Sequence, residues 1–126
     1  MPATHPALRY GLGLNDSGFF WECHEILEAI WAAAPQGGRE RILLRACIQI
    51  ANANLRLRMI KPHAAARLLG EALGELDTLA ARKASVPGDG FADGFPTAAL
   101  TALLRTKLAQ PVLSKADWVG IGPVGR

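Results

Sequence analysis

His24, Glu25 and Glu28 carry the most chemistry for their spacing: an imidazole followed at once by one carboxylate and, a helical turn later, by a second. Residues four apart share a helix face, so His24 and Glu28 can meet. Such a pair can chelate a divalent ion or steer an imidazole for general acid–base work. The segment invites comparison with the H-E-x-x-H helix of zinc proteases, in which two histidines hold the metal and the glutamate is the base. Here the second histidine position is Glu28. A catalytic zinc needs about three protein ligands, and the other histidines, His5 and His63, have no spacing that brings either one near. His24, Glu25 and Glu28 are therefore candidate catalytic residues, with His24 and Glu28 the weaker candidates for metal ligands. No serine or cysteine stands in a nucleophile elbow, and the glycines lack the Lys-Ser/Thr of a phosphate loop.

These residues need a helix to hold them. Phe19, Cys23, Ile26, Leu27, Ile30 and Trp31 recur at i, i+3, i+4 and i+7, which predicts a helix over about 17–34 with those residues toward the core. Asn15, Asp16 and Ser17 are its candidate caps, and Pro35-Gln36-Gly37-Gly38 ends it. Residues 1–14 read as an irregular lead-in. A second helix over about 39–60 places Arg41, Arg45, Gln49, Asn52 and Arg56 on one stripe and Leu43, Ala46, Cys47, Ile50, Ala53 and Leu57 opposite. Leu44, Ile48 and Leu55 widen its apolar arc, so this is the central helix, and Asn54 inside that arc requires a hydrogen-bond partner.

Pro62 suits the first turn of a third helix, whose buried face is Leu68, Leu69, Ala72, Leu73, Leu76, Leu79 and Ala80. Arg67 and Glu71 form an exposed i, i+4 pair there, and the spacing of Gly70 and Gly74 predicts a close helix approach. Residues 85–96 form the longest loop, with Phe91 and Phe95 pinning it and Asp89 and Asp93 as turn formers. A fourth helix over about 97–109 turns Leu100, Leu103, Leu104 and Leu108 inward, and Pro111 stops it. The tail has Val112, Leu113, Trp118, Val119 and Ile121 as anchors.

The expected fold is all-α: a compact single-domain bundle of four main helices, with residues 1–126 in one domain, a core over about 9–109 and an irregular tail over 110–126. With 126 residues, half of them hydrophobic, the chain buries a core without staples. Cys23 and Cys47 lie in apolar helical patterns and read as free thiols. The first residues lack the apolar run of a signal peptide, and no stretch reaches the ~18 apolar residues of a membrane span. A cytoplasmic location follows as an expectation. The net charge is +3, but the charges segregate: three glutamates and no cation over 18–34, five arginines and one lysine against Glu40 over 39–61. An acidic helix before a basic one predicts that the two pair, and a nucleic-acid surface fits poorly beside it.

From Arg9-Tyr10 to about Asp77 the chain resembles the bacterial and archaeal family known as domain of unknown function 309. The resemblance rests on Arg9-Tyr10-Gly11, then Asn15, Gly18, Phe19 and Phe20, then Glu22-x-His24-Glu25-x-x-Glu28-x-x-Trp31. It continues through Cys47-Ile48-Gln49-Ile50-Ala51-Asn52-Ala53 and Arg67-Leu68-Leu69. It implies an all-helical fold without an assigned biochemical role. One position departs: this chain has Arg56 where many relatives carry a His-like polar residue.

The leading expectation is a small helical domain with a structural or binding role, centred on an interhelical cluster. In it Glu25 and Glu28 accept from Arg41 or Arg45, His24 bonds Gln49 or Asn52, and Trp31 shields them; Arg45, Gln49 and Asn52 are its binding residues. The alternative is a metal-dependent or acid–base enzyme, hydrolase-like, on His24, Glu25 and Glu28. The third is weak nucleic-acid binding. No cofactor is implied beyond that divalent metal. Trp21, off the core pattern between acidic residues, is a candidate partner surface for a homo-oligomer, and a lid formed by the loop or the tail could equally cover it. No membrane partner is expected, and the sequence does not name a small-molecule ligand.

Overall fold

The computed structural model describes residues 6–82, 92 and 94–122. Among them the chain forms five α-helices and no strand: α1 Pro6–Asp16, α2 Phe20–Ala33, α3 Arg39–Arg58, α4 Pro62–Ala81 and α5 Thr97–Leu108, followed by a 3-10 turn, Lys115–Asp117. The all-helical class holds; the lead-in does not. Leu8, Gly11, Leu12 and Asn15 lie at i, i+3, i+4 and i+7 on a buried stripe, and they make a helix of the segment expected to be irregular. Gly11 sits where α1 crosses α2 closely. A Cβ there would stand 3.1 Å from Ile26 and 3.3 Å from Leu27, which glycine alone avoids.

α1 ends in a Schellman turn. Gly18 adopts φ +90°, its amide bonds the carbonyl of Asn15, and the amide of Phe19 bonds that of Leu14. Asn15, Asp16 and Ser17 thus close one helix rather than cap the next, and Phe19 is thrown outward, 51% exposed. Phe20 takes the inward place expected of Phe19. α3 ends the same way with Ile60 in the glycine position: φ is +58°, and Lys61 donates to Arg56 across the turn.

α3 is the central helix, packed against α2, α4 and the 3-10 turn. Leu43, Leu44, Ala46, Cys47, Ile48, Ile50, Ala51, Ala53 and Leu57 are buried along it, joined by Leu27 of α2 and Leu69, Leu76 and Leu79 of α4. Gly70 and Gly74 are exposed, and a Cβ on either meets nothing within 4 Å. The expected close approach at that pair is absent, because α4 turns those glycines to solvent. Leu103 and Ala80 also face outward. In the tail Leu113, Val119 and Ile121 are buried, while Val112 and Trp118 are exposed. No helix among the described residues is long and apolar enough to cross a membrane. The expectations for His5, Asp89, Phe91 and Asp93 fall outside the described residues.

Candidate functional site

α2 places His24 between its two carboxylates. Nε2 lies 2.8 Å from Glu28 Oε2, the i, i+4 partner, and Nδ1 lies 3.5 Å from Glu25 Oε1. A carboxylate accepts only, so Nε2 carries the hydrogen that faces Glu28. Nδ1 is buried and makes no hydrogen bond, although Glu25 Oε1 lies 3.5 Å away. The imidazole side chain is 13% exposed, while those of Glu25 and Glu28 are about half exposed. Trp21 leans on the imidazole, ring centres 5.0 Å apart at 48°. One donor atom from each of His24, Glu25 and Glu28 falls within 4.8 Å of the others, a set that a divalent ion could draw together.

The arginine stripe of α3 does not pair with these carboxylates. Arg41 stacks on Trp31, its guanidinium carbon 4.0 Å from the ring centre, and donates to the carbonyl of Ala34 at the end of α2. Arg45 lies 5.7 Å from the same ring. Among the described residues neither arginine forms an ion pair with Glu25 or Glu28. Trp31 is the receiver of the guanidinium groups, held by cation–π attraction, rather than a shield over a carboxylate–arginine cluster.

Gln49 also turns elsewhere: its amide donates to Glu71 of α4 at 2.7 Å, and the other Glu71 oxygen accepts from Arg67 at 2.7 Å. Neither Gln49 nor Asn52 hydrogen-bonds His24. The physical reason is angular. His24 and Glu28 project from the α2 surface alongside Trp21, whereas Gln49 is buried on the side of α3 that meets α4. Of the expected cluster the structure brings together His24, Glu25 and Glu28, and separately Trp31 with Arg41 and Arg45.

Beside His24, α1 and α2 form a groove of about 590 Å³, lined by Tyr10, Leu14, Phe19, Trp21, Glu22, Glu25 and Ile26. Tyr10, Phe19 and Trp21 are all more than half exposed. The Schellman turn at Gly18 causes this, since it swings Phe19 out next to Trp21.

A second polar network ties the tail to the helices. Asn54 of α3, fully buried, donates to Asn15 Oδ1 at 2.8 Å and to the Val119 carbonyl at 2.9 Å, and accepts from the Val119 amide at 2.8 Å. Asn15 donates to the same carbonyl and to Asp16, while Asp16 accepts from the amides of Ile121 and Gly122. The requirement that Asn54 find a partner is met, and its partners are Asn15 and the tail. A Cβ on Gly122 would collide with the Asp16 carboxylate. The available signal was Asn15 on the Leu8–Leu12 stripe, a buried position that demands a partner of its own. Cys23 and Cys47 are free and buried; burial pushes the Cys23 thiol up to about 12 and Cys47 higher, so neither is a nucleophile near neutral pH.

Residues 8–68 match the family model described as Domain of unknown function (DUF309). No curated protein matches the chain. The match spans α1, α2, α3 and the first turns of α4, and includes the His24–Glu28–Trp31 helix and both faces of the aromatic groove. Over those residues the chain is similar to the DUF309 family.

Proposed function

Beside this similarity to a family whose description assigns no role, we propose a binding domain whose α1–α2 groove receives a cationic, apolar-faced segment of another protein. One observation carries the reading: three exposed aromatics, Tyr10, Phe19 and Trp21, share a groove with Glu22 and Glu25. Aromatic side chains left in water at one place mark an interface, and the carboxylates beside them favour a positive partner. They also disfavour a two-fold pairing of this chain through the groove, which would set Glu22 and Glu25 of one copy against those of the other. Nucleic acid is repelled for the same reason.

In this reading His24 is a positioning residue. Glu28 fixes the imidazole, the imidazole supports the Trp21 ring, and the groove wall is set before the partner arrives. Pre-organisation of this kind raises affinity by lowering the ordering cost of binding.

The probe is a synthetic amphipathic helix of leucine and lysine, with its glutamate counterpart as control, followed by tryptophan fluorescence and calorimetry. Saturable binding of the lysine peptide is expected, weakened about tenfold or more by Trp21→Ala and less by Glu22→Gln with Glu25→Gln. Equal affinity for the two peptides, or indifference to Trp21→Ala, would sink the reading.

A second reading is favoured by the buried Nδ1 of His24, which lacks a hydrogen-bond partner beside Glu25. A divalent ion held by His24 and Glu25, with Glu28 in reach, would give that nitrogen a partner. Metal analysis of the purified protein, and melts in zinc or manganese with and without chelator, separate the two readings. A metal-induced rise in Tm abolished by His24→Ala supports a site. Unchanged melts remove it.

A further inference from the structure

A second cavity, about 420 Å³, opens beside the start of α2 and is walled by three stretches of chain remote in sequence. Asp16 comes from the end of α1, Phe20 from the start of α2, Asn54 and Arg58 from the end of α3, and Lys115 and Trp118 from the tail. The clamp of Val119, Ile121 and Gly122 on Asn54 and Asp16 is what brings the tail wall into place.

The charges in this cavity are unbalanced. Among the described residues that line it, Asp16 is the sole carboxylate, and that group already accepts from Asn15 and from the amides of Ile121 and Gly122. Arg58 lies with its guanidinium carbon 4.4 Å over the Phe20 ring and donates one N–H to the Gly18 carbonyl. A guanidinium has five donors, and no other acceptor for Arg58 occurs among the described residues. Lys115 has no ion pair or hydrogen bond among the described residues. Two further lining residues are aromatic: the rings of Phe20 and Trp118 have their centres 6.2 Å apart, tilted by 42°.

We propose that this cavity binds a small molecule that couples an oxyanion to a flat ring. The oxyanion, a carboxylate or a phosphate, is held by Arg58 and Lys115, and the ring lies against Phe20 and Trp118. Arg58 is suited to the first task because its plane is already fixed by Phe20 and by Gly18, so little side-chain freedom is lost on binding. The volume lies in the range of small-ligand pockets. Trp118, which is exposed, gains a partner. The site is independent of the α1–α2 groove and stands or falls separately from it.

Calorimetric titration of the full chain with phenyl phosphate, benzoate and inorganic phosphate is the test. One of the two ring-bearing anions is expected to bind saturably at one per chain, with inorganic phosphate at least about tenfold weaker, and the preferred anion identifies the oxyanion. Lys115→Gln touches no bond that holds the fold, and is expected to weaken binding about tenfold or more, as loss of a charge-assisted hydrogen bond does. Trp118→Ala is expected to weaken the ring-bearing anion while leaving inorganic phosphate unchanged. Arg58→Gln is read beside a melt, because Arg58 also braces Gly18. No saturable binding by either ring-bearing anion, equal affinity for inorganic phosphate, or an unchanged affinity in Lys115→Gln would overturn the proposal.

Discussion

A carboxamide in a core is tolerated only when each of its polar atoms is engaged, and Asn54 engages all of its own through one neighbouring side chain and one distant peptide unit. Asn54→Ala removes three hydrogen bonds and leaves the Val119 amide and the Asn15 Oδ1 buried without them. A loss of about 3 kcal/mol in urea unfolding is expected, together with faster proteolysis within 110–122. A loss below about 1 kcal/mol would show that water replaces the side chain. The need of Asn54 for a partner was legible in its place on the apolar arc. The identity of that partner was not, because the bond to Val119 spans 65 residues and helix periodicity reports only on neighbours within a few turns. His24 and Glu28 were legible for the converse reason: their contact is internal to one helix. The arginines misled, since charge segregation along a sequence says nothing about a tryptophan that can compete for a guanidinium.

Helix ends decide where the aromatic surface lies. Ile60 occupies the left-handed position that glycine takes in most Schellman turns, a conformation costing an L-residue about 1–2 kcal/mol. Its side chain is largely exposed, so little packing is lost on removing it. Ile60→Gly is therefore expected to raise stability by about 1 kcal/mol in thermal or chemical melts; a decrease would show that the side chain has a contact beyond the described residues. Glycines inside helices divide by what surrounds them. Gly70→Ala and Gly74→Ala point into open space and are each expected to add up to about 1 kcal/mol of helix propensity. Gly11→Ala meets Ile26 and Leu27 and is expected to cost about 1–2 kcal/mol. Equal effects at the three positions would contradict the crossing of α1 on α2. The boundaries of α3 and α5 and the start of α4 were readable from proline, glycine and period alone, to within two residues. α1 was not, because Gly11 and Gly13 mimic a loop unless the stripe of Leu8, Leu12 and Asn15 is weighed against them.

Across the molecule as a whole, the two buried thiols set an alkaline limit. Both have pKa values raised above the ordinary 9.0, chiefly by burial, so above that pH the unfolded chain gives up protons that the folded chain retains. Stability is thus unaffected by the thiols below about pH 9 and falls above it, by up to about 1.4 kcal/mol per pH unit for each thiol. Urea midpoints between pH 8 and 10.5, compared with a Cys23→Ala, Cys47→Ala double variant, should diverge only above pH 9; parallel curves would place the thiols in contact with water. The helical class and the central position of α3 followed from hydrophobic period, whereas the route of the tail did not, since its few anchors have no period. That route has a consequence for synthesis. Asn15 and Val119, which bond each other, are 104 residues apart, and at about 5–20 residues per second the ribosome makes them roughly 5–20 s apart. Through that interval the nascent helices can assemble while the carboxamides of Asn15 and Asn54 still face water, so the finished core waits on the last stretch of the fold to emerge.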